Sequence, residues 1–248
     1  MKTGILYLIP SPLGTREEYP DPLAHIIPDE VRKITAGLTC FIVENAKTAR
    51  AYLKQVGRTH PLALPIQQIR MMELNTRTKT DALPALLAPL LAGKDCGLIS
   101  EAGVPAVADP GANLVEAAHR EGITVKPLVG PSSILLALMA SGLNGQCFAF
   151  CGYLPTHATQ RAKEIRLLEE RSRQIRQTQI FIETPYRNHA LLDALCTHCH
   201  DSTRLCVATN LTLPDESICT RDIAAWREKK GETNLLHRKP SLFLLLAR

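Results

Sequence analysis

The sequence predicts an α/β protein of two α/β domains, a mostly parallel N-terminal sheet followed by an α+β C-terminal domain, and three observations predict it. Strand-like apolar runs alternate with helix-period segments along the whole chain. Gly and Pro cluster directly after several strand-like runs, where an open sheet presents its backbone to a ligand. The 248 residues are 45% hydrophobic and contain no repeat, low-complexity tract or Gly/Ser linker, so the two expected domains, residues 1–128 and 129–248, should pack closely with a cleft between them.

In the first half, strands are expected at Ile5–Ile9, Cys40–Glu44, Leu62–Ile66, Cys96–Ser100 and Ile123–Val129. Helices are expected at Lys47–Val56, Asp81–Ala92 and Asn113–Glu121, with Asp81 as an N-cap, Pro84 tolerated in a first turn, and Gly93 and Gly122 as stops. In the second half, a helix over Ser132–Ser141 precedes a strand at Phe148–Gly152 and a charged helix from Thr159 to about Gln174. Strands follow at Gln179–Glu183, Arg204–Thr209 and Leu242–Ala247.

Charge alone decides little: 29 Lys plus Arg against 24 Asp plus Glu give +5, compatible with a polyanionic partner but too mild to require one. The apolar run near the N-terminus is too short for the core of an export signal and is shaped like a first strand. The longest uncharged stretch, Pro127–Gln160, is broken by Gly130, Pro131, Gly142, Gly152 and Pro155, so it reads as interior rather than membrane-spanning. Eight scattered cysteines without an export signal predict reduced, mostly buried thiols in a cytoplasmic protein.

Two segments concentrate the chemistry. Leu98–Gly111, LISEAGVPAVADPG, is a buried-type strand that breaks into small residues, so that main-chain groups rather than a side-chain cage meet a ligand. Val125–Gly142 repeats the arrangement: an apolar strand, the Gly130-Pro131 turn, Ser132 and Ser133, then an apolar helix whose free N–H groups can receive an anion or simply be capped. A third Pro/Gly turn, Ser11-Pro12-Leu13-Gly14-Thr15, follows the first strand, and on its own reads as merely structural.

These segments resemble the signature regions of the tetrapyrrole (corrin/porphyrin) methylase superfamily, and its ribosomal-RNA branch in particular. The resemblance covers nearly the whole chain. It rests on Ser100–Gly111 against Ser-Asp-Ala-Gly-Thr-Pro-x-x-x-Asp-Pro-Gly, on Ser11–Thr15 against Thr-Pro-Ile-Gly-Asn, and on Phe181–Arg187 against Phe-Tyr-Glu-Ser-Pro-His-Arg. It implies the tetrapyrrole methylase fold, S-adenosylmethionine in a cleft between the domains, and a homodimer. It further implies Pro12, Ala102, Gly103, Val104, Val107, Ser132, Ser133, Glu183 and Thr184 as cofactor contacts.

Glu44–Arg50 stands where the ribosomal-RNA branch carries Glu-Asp-Thr-Arg and a further Arg, so the resemblance makes Glu44, Arg50 and Glu101 the catalytic candidates and RNA the expected substrate. Glu44 can orient a ribose hydroxyl or accept its proton while Arg50 holds phosphate, or the two simply pair. The sequence departs from the branch at Glu101, where the family has Asp, at Glu73–Arg77, which lacks its His and Glu, and at Thr209–Thr212, which lacks its Arg-Glu-x-Thr-Lys. The tetrapyrrole enzymes' Gly-Pro-Gly-Asp is also absent. A methyltransferase of a small molecule and a non-catalytic homologue that binds the cofactor are therefore the alternatives.

Two features have bland readings beside the functional ones. Cys196-Thr197-His198-Cys199-His200 spells a haem or zinc motif, but Leu191, Leu192, Leu195 and Cys199 make a helical apolar face, and no metal is expected. The six basic residues of Arg161–Arg176 are either a solvated helix face or a surface that tracks phosphates.

Overall fold

Strand β1, Ile5–Ile9, is the pivot of the first sheet in the structure, a computed structural model that describes residues 2–14, 19–229 and 236–248. Thr15, the last residue of the first Pro/Gly turn, lies outside the described residues. The chain divides into two compact units, Met1–Ser132 and Ser133–Arg248.

The first unit adds β2 (Cys40–Val43), β3 (Arg70–Glu73), β4 (Cys96–Ile99) and β5 (Thr124–Pro127), all parallel, in the order β3-β2-β4-β1-β5. Alternate side chains face opposite layers, as the pleat requires. Phe41, Val43, Ile9 and Ile99 pack on α1 (Asp29–Gly37) and α2 (Ala46–Val56); Cys40, Ile42, Leu6 and Leu98 pack on α3 (Leu83–Leu91) and α4 (Ala112–Arg120). The inner strands β2 and β4 are thus buried on both sides, which explains the continuous apolar runs Cys40–Val43 and Cys96–Ile99. The chain leaves β1 toward β2 and leaves β4 toward β5, in opposite directions, so a topological switch point falls between β1 and β4.

The second unit begins with α5 (Ser133–Ser141) and builds a mixed sheet, β6-β7-β10-β8-β9, from Phe148–Tyr153, Thr178–Glu183, Ser241–Leu246, Arg204–Thr209 and Ser217–Asp222 respectively. Only β6 and β7 pair in parallel. Helices α6 (Ala158–Ile175), α7 (Asn188–His198) and α8 (Ile223–Glu228) share a core with Phe181, Phe243, Val207 and Leu245. Phe181 and Phe243 stack with ring centroids 6.1 Å apart. Either ring replaced by Ala would cost about 3–5 kcal/mol.

The structure corrects two expected elements. Leu62–Ile66 is not a strand: Pro61 and Pro65 withhold ladder donors, and Leu62, Leu64 and Ile66 alternate because they pack on the α1/α2 core. The strand beside β2 is Arg70–Glu73, whose edge position and exposed ends mask its pattern. Asp81 does not cap α3; it sits in a 3-10 turn, Thr80–Ala82, and Ala82 occupies the cap. Pro84 does fall in the first turn of α3. Helix α1 and strand β9 were not foreseen, because α1 shows its apolar face only through Val31 and Ala36, flanked by a buried Arg32 held by Asp21 at 2.6 Å and Asp29 at 3.1 Å.

All eight cysteines are free thiols and five are buried. Cys196 and Cys199 are core residues of the second unit, so the haem-like spacing reflects helix packing. No described helix is long and apolar enough to cross a membrane.

Candidate functional site

In a parallel sheet the carboxyl ends of the strands share one edge, and at that edge of the first unit four loops converge. The β1 and β4 loops are joined: the Ser11 N–H donates to the Gly103 carbonyl at 2.8 Å and the Gly103 N–H donates to the Ser11 carbonyl at 3.0 Å. The Ser11 hydroxyl donates to the Ser100 carbonyl at 3.0 Å. The β5 loop closes against the β1 loop, with Gly130 so near that a Cβ there would sit 2.2 Å from Pro10 Cγ.

The β4 loop is strained. Gly103 has φ +72°, but Ala106 (+65°) and Ala108 (+63°) also lie in the left-handed region, where a non-glycine residue costs about 1–3 kcal/mol. Such conformations persist where surrounding contacts over-determine them, commonly at ligand sites. The strained segment leaves Val107 47% exposed, with Ala102 exposed and Val104 half-buried.

Carboxylates gather beside this loop. Glu44, just past β2, accepts the Glu101 N–H on Oε2 at 3.2 Å, and Glu101 Oε1 accepts the Thr48 hydroxyl at 2.8 Å. Asn45 caps α2 by accepting the Lys47 N–H at 2.9 Å, which fixes the path between Glu44 and Thr48. Asp109 completes the cluster: burial first, then the negative charges of Glu44 and Glu101, push its carboxyl up to about 6 against an opposing hydrogen bond from Ser100. Two cavities border the cluster. One, of about 280 Å³, is lined by Pro12, Thr48, Tyr52, Ser100, Glu101 and Ala102; the other, of about 390 Å³, by Asn75, Thr78, Lys79, Asp109 and Asn113.

The predicted residues thus separate. Pro12, Glu44, Glu101, Ala102, Gly103, Val104 and Val107 lie on the converging loops of the first unit. Arg50 does not join them: it is exposed on α2, its Nη1 donates to the Ala46 carbonyl at 3.4 Å, and among the described residues it forms no ion pair with Glu44. Ser132 ends the first unit and Ser133 begins α5, both half-buried.

In the second unit, Glu183 is a buried carboxylate at the end of β7. Its Oε1 accepts the Thr184 N–H at 2.6 Å and Arg187 Nη2 and Nε at 2.6 and 2.9 Å, while the Thr184 hydroxyl accepts Arg187 Nε at 3.2 Å. Asp109 and Thr48 were missed as site residues. Asp109 stands inside the Asp-Pro-Gly signature, but only the fold brings it beside Glu44.

The chain is similar to known proteins over most of its length. The family of Tetrapyrrole (Corrin/Porphyrin) Methylases matches residues 32–225. Ribosomal RNA small subunit methyltransferase I of Mesorhizobium japonicum is 31% identical over 220 residues, covering 89% of this chain and 68% of the relative. The protein of that name from Xylella fastidiosa is 28% identical over 237 residues, 92% and 79% of the two chains. The fold superposes on uroporphyrin-III C-methyl transferase from Thermus thermophilus complexed with S-adenyl homocysteine, with TM-score 0.56 and 16% identity, covering 98% of this chain and 97% of that one.

Proposed function

The chain belongs to the tetrapyrrole (corrin/porphyrin) methylases and is a methyltransferase, and from that premise we propose that it transfers a methyl group from S-adenosylmethionine to a ribose 2'-hydroxyl of small-subunit ribosomal RNA. The observation that carries this reading is the joined β1 and β4 loops edged by Glu44, Glu101 and Asp109, in a chain 31% identical to a ribosomal RNA small subunit methyltransferase I.

The residues present fit the cofactor. A Cβ on Gly103 would fill the approach, meeting Leu13 Cδ2 at 3.2 Å and the Pro131 carbonyl oxygen at 3.6 Å. The main chain of Ala102 and Val104, with Gly103 leaving room for the approach, Pro12 opposite and Val107 exposed, would hold adenosine and methionine parts without a side-chain cage. Three carboxylates suit a sulfonium cation. When bound, the cofactor supplies a methyl already electrophilic on that sulfonium, so alignment and one late proton acceptance remain for the protein.

Asp109 is the acceptor the geometry favours. Its carboxyl, at about 6, is ionised at neutral pH yet more basic than an ordinary Asp, and it faces the cavity of about 390 Å³. Burial first, and then the charges of Glu44 and Glu101, hold it there. In this reading the protein acts in the cytoplasm as a homodimer, a state supported by Leu135 and Met139, 55% and 79% exposed one turn apart on α5. Transfer of tritiated methyl from S-adenosylmethionine into 16S rRNA from a strain lacking this gene tests activity and substrate together. Label in a ribose is expected; cofactor binding with no label in rRNA would overturn the substrate.

A further inference from the structure

The end of the second sheet opposite Glu183 carries a cluster of arginines that methyl transfer does not use. Arg173 and Arg176 come from the last turn and cap of α6, Arg204 from the first residue of β8 and Arg248 from just beyond β10. With Asn144 and Gln146 they line a cavity of about 900 Å³ that has no Asp or Glu in its lining, and Arg173 Nε donates to the Arg248 main-chain oxygen at 3.2 Å.

Their charges are only partly met. Arg173 pairs with Glu170 at 2.7 Å, and Arg248 lies 3.7 Å from Asp222. Among the described residues, Arg176 and Arg204 have no ion-pair partner.

Their placement is built. Arg176 caps α6 with φ +51°, a left-handed conformation that an arginine adopts only under constraint, and Asn144 supplies the constraint by donating from Nδ2 to the Arg176 carbonyl at 2.6 Å. Asn144 Oδ1 in turn accepts the Gln146 N–H at 3.0 Å, so the loop before β6 and the end of α6 are locked together. Across the cavity, the Arg204 guanidinium lies along the same loop, 3.6 Å from where a Cβ of Gly142 would stand.

Guanidinium groups present forked donors that match phosphate oxygens. No aromatic side chain lines the cavity to stack an unpaired base, so what it recognises is backbone. We propose that this arginine cavity holds the phosphate backbone of structured RNA, as a docking site separate from the methyl-transfer centre; the proposal rests on the RNA reading above. It also assigns the basic run Arg161–Arg176: its C-terminal end is the phosphate contact. Glu183 and Thr184, which resemble family cofactor contacts, lie at the far end of six-residue strands, roughly 20 Å away, and Ser133, the third such residue of this unit, begins the helix α5 whose other end adjoins Gly142. Contacts of a cofactor with Glu183 and Thr184 should therefore not sense the arginines.

The test compares the wild type, Arg176→Glu/Arg204→Glu and Arg176→Lys/Arg204→Lys for filter binding to transcribed 16S rRNA across a salt series, with S-adenosylhomocysteine calorimetry and sedimentation on each. The Glu variant should bind rRNA at least tenfold more weakly, and the magnitude of its log–log salt slope should fall by about 1.5, the share of two phosphates. The Lys variant should keep most of the slope, and all three should bind S-adenosylhomocysteine alike. Unchanged rRNA affinity and slope in the Glu variant would overturn the docking site while leaving the RNA reading intact. A change of oligomeric state with unchanged rRNA affinity would make the patch an interface between copies and overturn it too. Wild type that binds S-adenosylhomocysteine but no rRNA would overturn the RNA reading and the docking site with it.

Discussion

Ser11 and Gly103 exchange two backbone hydrogen bonds, 2.8 and 3.0 Å long, and so tie the loop after the first strand to the loop after the fourth. The two strands are neighbours in the sheet, and their loops would otherwise be free to splay. The bridge consumes the N–H and carbonyl of both Ser11 and Gly103, and the segment that follows, with Ala106 and Ala108 in the left-handed region, leaves Val107 exposed.

Replacing Gly103 by Val places a β-branched side chain at φ +72° and against Leu13. The fold should survive, with a loss of about 1–3 kcal/mol. Wild-type S-adenosylhomocysteine binding is expected in the micromolar range, about −8 kcal/mol, and should disappear from calorimetry in the variant. Unchanged affinity in a folded Gly103→Val protein would move the cofactor elsewhere.

Gly130 has a φ outside the left-handed region, so Gly130→Ala strains no torsion and its whole effect is the clash with the Pro10 ring. Overpacking of this kind should cost about 1–3 kcal/mol in urea unfolding. In a Pro10→Gly background, where the ring is gone, the same substitution should cost far less. A double-mutant cycle with no coupling would show that the two loops are not in contact in solution.

Asp109 gives a pH signature. Its folded carboxyl titrates at about 6 against an ordinary value near 4, so the folded state binds more protons between these limits and the group's ionisation destabilises the fold as pH rises through that window. The stability of the wild type minus that of Asp109→Asn should therefore fall from pH 4 to 6 and stay flat above. Turnover runs the other way: kcat should rise with pH through about 6 in the wild type, and at pH 8 Asp109→Asn should lose about 10²-fold in kcat with little change in cofactor affinity. Full activity in the variant would remove Asp109 from the chemistry.

Glu44→Gln removes the larger of the two charges acting on Asp109 and should shift the kcat–pH midpoint downward. A midpoint that stays in place would mean that the Glu44 charge does not act on Asp109.

Arg187→Ala would leave the buried Glu183 carboxylate with only the Thr184 N–H. Because Arg187 is 36% exposed, solvent screens part of the pair, and a loss of about 2 kcal/mol is expected rather than the 3–5 of a fully buried one. Arg187→Lys should recover little, since one ammonium cannot occupy both guanidinium positions. Urea unfolding of the two variants checks this.

Local chemistry in the sequence determined a great deal. The short apolar runs Cys40–Glu44 and Cys96–Ser100, alternating with helix-period segments, predicted a mostly parallel sheet, and the structure has β2 and β4 there, buried on both faces. The Gly and Pro residues after Ile9 and Ile99 marked the loops that meet at the carboxyl edge of that sheet, and the Leu-rich spacing around Cys196 predicted the buried helix face that packs in the second core. Tertiary structure alone decided the rest. Leu62–Ile66 alternates like a strand, yet its prolines and the α1/α2 core make it a packed loop, while the weakly patterned Arg70–Glu73 is recruited as the edge strand by the open ladder of β2. Asp109 was in plain view within its motif. What raises its carboxyl is burial and the charge of Glu44 on another strand, and no local pattern encodes a field between residues that only the sheet order makes neighbours. The same holds for Arg176 and Arg204: each is an unremarkable cation in the sequence, and they line one cavity because α6 ends where β8 begins.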